Sequence, residues 1–203
     1  MLRVGLTGGI ASGKSTVASL IRDADGMVLE LDPLGHELLE PGQAAYDEIV
    51  REFGGEILAP GGAVDRRKLG EIVFADATRR ARLNAILHPR ILDVTRKWFT
   101  AIDRSGGPDI AFVEAALIVE SGFHKELDKL VVCWCRPEQQ IERLLERGLS
   151  REQAELRRAA QMPIEEKRKM ADEAIDCSGA MEETERQVNE ALARLRQAAS
   201  PAK

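Results

Sequence analysis

An apolar run, Leu2-Arg3-Val4-Gly5-Leu6, breaks into Gly8-Gly9-Ile10-Ala11-Ser12-Gly13-Lys14-Ser15, and this junction limits the folds open to the chain more than any other stretch. After Lys14, the residues Val17, Leu20 and Ile21 recur at helical spacing. Strand, glycine loop and helix therefore follow in that order, which is the context in which G-x-x-x-x-G-K-[ST] binds phosphate. The chemistry explains the spacing. Glycines let backbone N–H groups curl around an anion, and the helix behind them points its positive dipole end at it. In such a loop Lys14 reaches the β- and γ-phosphates of a nucleoside triphosphate and the Ser15 hydroxyl ligates Mg²⁺. A guanine-nucleotide switch would add an Asn-Lys-x-Asp base reader. The only asparagines, Asn84 and Asn189, stand in Asn-Ala-Ile-Leu and Asn-Glu-Ala-Leu, which argues against that class.

Four further short apolar runs complete a pattern of five strands: Met27–Leu31, Ile110–Val113, Leu130–Cys135 and Ala174–Cys177. The runs at 110 and 130 are continuous rather than alternating, as suits strands covered on both faces. Residues 33–104 read as helical with a break at Ala59-Pro60-Gly61-Gly62, and Pro89 is expected to start a new helix after His88. Pro137 opens a charged helical stretch to about Met170, and Met181 to Ala198 closes the chain as an amphipathic helix. The order predicts an α/β fold: a three-layer, doubly wound, parallel five-stranded sheet with ligands at the strands' carboxyl ends. A single domain is expected, with a core of about 1–32, 105–136 and 171–203, a helical insertion at about 33–104 and a mobile lid at about 137–170.

Composition narrows the partners. With 29 Lys and Arg against 34 Asp and Glu the chain carries −5, and it has two Trp, one Tyr and five Phe in 203 residues. That balance disfavours an extended nucleic-acid surface, and few rings are available for base stacking. No stretch approaches the roughly 20 apolar residues that span a bilayer, and no signal-peptide core precedes the first glycines. The expectation is a cytoplasmic protein, most simply a monomer, acting on small molecules without nucleic acid or membrane. Cys133, Cys135 and Cys177 have neither the number nor the spacing of a zinc site or a disulfide framework, so reduced packing roles are expected.

Phosphoryl transfer to a hydroxyl benefits from a carboxylate that takes the proton, and Asp32 stands at the end of a run expected to lie beside the phosphate loop. Its structural alternative is an N-cap for a helix starting near Pro33. In a helix from Pro137 to Arg147, Gln140, Arg143 and Arg147 share a face. Such charges are usually solvated, yet a kinase lid needs cations over the transferring group. Arg143, Arg147 and Arg157 are the candidate cations. Glu114, ending its strand, is placed to assist the metal from an outer shell or to be a plain strand-end charge.

The ordered blocks are more specific than the loop alone. Gly5-Leu6-Thr7-Gly8-Gly9-Ile10-x-Ser12-Gly13-Lys14-Ser15-Thr16-Val17, Asp32 with Glu40-Pro41-Gly42, Asp65-Arg66-x-x-Leu69-Gly70-x-x-Val73-Phe74 and His88-Pro89 resemble the dephospho-coenzyme A kinase family. Leu117-Ile118-Val119-Glu120, Gln140-x-x-Arg143-x-x-x-x-Gly148, Gln161 and Ala171-Asp172 extend the likeness to about residue 179. The resemblance implies a P-loop fold like that of nucleoside monophosphate kinases and transfer of the ATP γ-phosphate to the ribose 3′-hydroxyl of dephospho-CoA. It implies Asp32 as general base, with Lys14 and Arg143 stabilising the transferring group. ATP would be held by Gly8, Gly9, Ile10, Ala11, Ser12, Gly13, Lys14, Ser15, Thr16, Arg143, Cys177 and Gly179. Dephospho-CoA would meet Asp32, Arg66, His88, Leu117 and Glu120. Four places depart from the family pattern. Glu30 replaces the first acid of a D-A-D segment, Ala116 a proline, and Cys177-Ser178 a usual asparagine. Ala11 replaces a loop glycine, which a methyl tolerates if the residue keeps negative φ.

Overall fold

The computed structural model describes residues 1–199. Five strands, β1 (Leu2–Gly8), β2 (Met27–Glu30), β3 (Ile110–Glu114), β4 (Lys129–Trp134) and β5 (Glu173–Asp176), form one parallel sheet in the order β2-β3-β1-β4-β5. Helix α1 (Lys14–Asp23) links β1 to β2, and α2 (Leu31–Glu37), α3 (Tyr46–Phe53), α4 (Arg66–Ala75) and α5 (Ala77–Ser105) precede β3. Helices α6 (Pro137–Glu146), α7 (Arg151–Ala159) and α8 (Ile164–Lys169) join β4 to β5, and α9 (Met181–Ala199) follows. Helices lie on both sides of the sheet, so the doubly wound reading holds.

The continuous apolar runs are explained by burial. All five residues of β3 are buried, as are Leu130 to Cys133 of β4. Val4, Leu6, Phe112, Val131 and Ile175 pack with Val17, Ala18 and Ile21 of α1 and with Val188, Leu192 and Leu195 of α9. At the carboxyl edge Leu6 is level with Glu114, Glu30 with Glu114, and Gly8 with Cys133. The chain departs from β1 to one side toward β3 and β2 and to the other toward β4 and β5, so a crevice opens where these directions diverge.

Two compact units divide the chain, one of Met1–Glu30 with Ile102–Lys203 and one of Leu31–Ala101. The second has its own core, in which Leu38, Leu39, Ile49, Phe53, Ile57 and Leu69 are buried together.

Three local expectations are corrected. β2 pairs with β3 rather than with β1, so the strand before Asp32 is not the neighbour of the phosphate-loop strand. That strand ends at Glu30 and α2 begins at Leu31, which puts Asp32 and Pro33 inside the first turn instead of making Asp32 its N-cap. Pro89 does not start a helix, because α5 runs through it. An interior proline costs about 3 kcal/mol, but Leu83, Ile86 and Leu87 before it and Ile91 after it pack on one core. Arg90 then donates to the Ile86 carbonyl at 2.6 Å beside the break.

Candidate active site

The loop after β1 needs its glycines for space as well as for conformation. A Cβ on Gly8 would collide with the Cys133 carbonyl oxygen and Ser12 Oγ, and one on Gly13 would lie 2.8 Å from Cys177 Cβ. Gly13 sits at φ 96°, the left-handed turn that launches α1. Ala11 is left-handed as well, at φ 56°, so the condition under which its methyl would be tolerated, a negative φ, is not met. This conformation costs an L-residue about 1–2 kcal/mol, and side chains hold the loop around it. The Ile10 N–H donates to Gln161 Oε1 at 2.7 Å, and Gln140 Nε2 donates to the Ile10 carbonyl at 2.9 Å. Arg143 Nη1 donates to the Ala11 carbonyl at 3.1 Å, and the Cys135 thiol points at the same oxygen at 3.7 Å.

The second half of the loop is different. Among the described residues no side chain caps the start of α1, so the N–H groups of its first turn are not taken up by a capping oxygen. Ser12 Oγ is buried and has no hydrogen-bond partner among the described residues. Lys14 forms an ion pair with the buried carboxylate of Glu114, so this acid meets the loop lysine. Ser15 is exposed on the first turn and Thr16 half-buried beside it. Among the described residues no group of three or more His, Cys, Asp or Glu is arranged to hold a metal. The donor set fits Mg²⁺ nonetheless: an exposed serine hydroxyl is a hard oxygen ligand, and that ion commonly binds few protein groups and completes its shell with phosphate and water.

Helix α6 carries Gln140 and Arg143 inward, with Gln140 only 3% exposed. Arg143 also donates from Nη2 to the Cys177 carbonyl at 2.7 Å, bridging the loop to the segment after β5. These two bonds use two of the five guanidinium N–H groups, leaving three for an anion. Arg147 is the C-cap of α6 and is exposed, as is Arg157 on α7. Beyond β5, Gln139 Nε2 donates to the Ser178 carbonyl at 2.9 Å, and Ser178 Oγ is a buried hydroxyl without a partner among the described residues. Gly179 next to it is exposed. All three cysteines are free and buried, as the packing reading requires. A hydrogen bond from the Cys133 thiol, aided by Arg143, lowers the Cys177 thiol, whereas burial pushes Cys133 well up.

Lys167 on α8 is the residue that sequence reasoning missed. It is fully buried, and its ammonium reaches the Ala116 carbonyl at 2.7 Å, the Gly8 carbonyl at 3.4 Å and Glu120 Oε1 at 2.9 Å. Glu120 also accepts from the Met162 N–H at 3.0 Å. Leu117 lies half-buried in the same post-β3 turn. The available signal was the pair Ile164 and Lys167, one helical turn apart and both buried, within an otherwise charged stretch that reads as solvated.

The remaining candidates belong to the second unit. Asp32 is exposed in the first turn of α2. Arg66 opens α4, whose N-cap Asp65 accepts from the N–H groups of Arg67 at 3.0 Å and Lys68 at 3.2 Å, holding the Asp65 carboxyl below its usual range. Arg66 Nη1 lies 3.1 Å from Nδ1 of His36, a histidine with no support in the sequence motifs. His88 is half-buried within α5, and burial lowers its pKa from 6.5.

A parallel sheet of this order, with a glycine loop between its central strand and first helix and a lysine at the loop's end, defines a P-loop nucleotide-binding fold. The family model for dephospho-CoA kinase matches residues 2–183. A dephospho-CoA kinase of Geobacter sulfurreducens is 45% identical over 94% of this chain and 97% of its own. Among solved structures, that of TT1252 from Thermus thermophilus is 35% identical with a TM-score of 0.82, over 96% of this chain and 97% of that one. Dephospho-CoA kinase from Campylobacter jejuni, at 26% identity, aligns with a TM-score of 0.71 over 98% of both chains. The chain belongs to the dephospho-CoA kinase family.

Proposed function

We propose that this chain phosphorylates the ribose 3′-hydroxyl of dephospho-CoA with ATP, giving CoA and ADP, the last step of coenzyme A synthesis. Family membership supports the acceptor. The observation that carries the chemistry is the loop's second half, which brings together an uncapped helix start, a lysine and a buried serine hydroxyl without a partner among the described residues. Residues 33–104 are read as the acceptor-binding region and 137–170 as the lid, in a protein of the cytosol acting on diffusible ligands.

The steps follow from the side chains. Amides of residues 13–16 and the Lys14 ammonium bind and orient the triphosphate. Asp32 takes the proton from the 3′-hydroxyl as that oxygen bonds to the γ-phosphorus and the bond to the β,γ-bridging oxygen breaks. Arg143 directs its remaining donors at the phosphoryl oxygens, where charge spreads during transfer. Mg²⁺, held by Ser15 Oγ and the phosphates, would neutralise part of that charge. At the base end the carbonyl of Cys177, the Ser178 hydroxyl and Gly179 offer polar contacts to adenine. Arg66 and His88, with Leu117 and Glu120, are assigned to the acceptor.

ADP release from ATP and Mg²⁺ across a panel of dephospho-CoA, nucleoside monophosphates, shikimate and pantothenate tests the acceptor. Acceleration by dephospho-CoA alone is expected. Stimulation only by another acceptor, or hydrolysis that no acceptor accelerates, overturns the assignment.

A further inference from the structure

The first four residues of the loop are held by side chains from a part of the chain more than a hundred residues away. Lys167 reaches the Gly8 carbonyl, Gln140 and Gln161 take the two polar groups of Ile10, and Arg143 takes the Ala11 carbonyl. Gly9 gives this arrangement its space, because a Cβ there would collide with Gln140 Nε2. These donors and acceptors come from α6, α8 and the turn between α7 and α8. At the centre of the segment they hold stands Ala11, whose left-handed backbone is unfavourable for any residue with a Cβ.

We infer that Gln140 and Gln161 are positioning residues that clamp the backbone of Ile10 on both sides of its Cα, keeping Ala11 left-handed so that the following amides are arranged for phosphate before ATP arrives. The pair is matched chemically, since one glutamine presents its oxygen to the Ile10 N–H and the other its amide to the Ile10 carbonyl. The Ile10 N–H is then spent, as is the Ser12 N–H, which donates to the Gly9 carbonyl at 3.2 Å, and the phosphate falls to residues 13–16. Without the clamp, relief of the Ala11 strain favours loop conformations that do not bind, and apparent affinity falls by the fraction that remains competent. A glycine at position 11 removes the strain and with it most of the need for the clamp. The inference rests on the reading of this loop as the ATP-phosphate site.

The test is a double-mutant cycle read by ATP affinity in calorimetry without acceptor and by hydrogen exchange of the Ile10 amide. Gln161→Met is expected to weaken ATP binding about fivefold to tenfold, the scale of one lost hydrogen bond, and to speed Ile10 exchange at least as much. KM for ATP should rise by more than kcat falls. In an Ala11→Gly background the same substitution should weaken binding about twofold or less. An unchanged affinity, or an equal loss in both backgrounds, overturns the inference. Gln140→Met run through the same cycle decides the matter if Gln161→Met does not fold. Failure of both to fold also overturns it, because the glutamines would then build the core rather than set the loop. If the unaltered protein does not bind ATP, the reading of the site fails first and this inference with it.

Discussion

The two halves of the phosphate loop differ in what completes them. From Gly8 to Ala11 the backbone is held by Lys167, Gln161, Gln140 and Arg143. From Ser12 to Thr16 the loop presents an uncapped helix start, a buried hydroxyl without a partner among the described residues, and a lysine paired with Glu114. The protein fixes the shape of the first half and leaves the second to the ligand. A loop that must bind a multiply charged anion needs unspent donors, yet donors held in no fixed shape would lose affinity to ordering. Splitting the loop satisfies both demands.

The largest expected loss lies outside both halves and separates binding from chemistry. Asp32→Asn should lower kcat by about 10² to 10⁴, the range of a lost general base, while calorimetric affinity for ATP stays as it was. An unchanged kcat, with chemistry shown to be rate-limiting, removes Asp32 from the reaction. Next in size is Lys14→Met in the ligand-facing half, which should lower kcat/KM about 10² to 10³-fold, as for other lost charge-stabilising donors. If it cost no more than Gln161→Met, the division between the halves would be broken. Ser12→Ala sharpens the comparison in the opposite direction. It removes a buried hydroxyl with no partner among the described residues, so denaturation of the ligand-free protein should show equal or slightly greater stability, by up to about 1 kcal/mol. ATP affinity should nevertheless fall severalfold, and a stable variant with full affinity would show that Ser12 serves neither half.

The smallest effect concerns pH. Burial lowers the His88 pKa in the folded chain below its unfolded value of 6.5, so the unfolded state binds more protons in that range. Stability from this group is present above pH 6.5 and is lost as pH falls toward the folded value. Melting temperatures measured from pH 7.5 downward should therefore decline less steeply for His88→Gln than for the unaltered protein. Parallel curves would show that His88 is solvated.

Much of this architecture was legible because it is written in local signals. Continuous apolar runs marked strands buried on both faces, and the strand, glycine loop and helix around Lys14 placed the phosphate site from sequence alone. What stayed hidden depends on partners distant in sequence. Pro89 looks like a helix start until the apolar residues on both sides of it are seen to share one core. Ala11 gives no sign of its positive φ, since the groups that hold it come from residues 135 to 161. Lys167 reads as one more surface charge unless the carbonyls of Gly8 and Ala116 are known to converge on it. The approach of His36 to Arg66 was hidden for the same reason.

The most direct test follows the phosphoryl group itself. With ATP carrying ¹⁸O in its γ-phosphoryl oxygens, and with dephospho-CoA and Mg²⁺ present, mass spectrometry and ³¹P NMR of the products should place the label in a phosphomonoester on the ribose 3′-oxygen of CoA. Label recovered only in inorganic phosphate, or on another hydroxyl, would contradict the account.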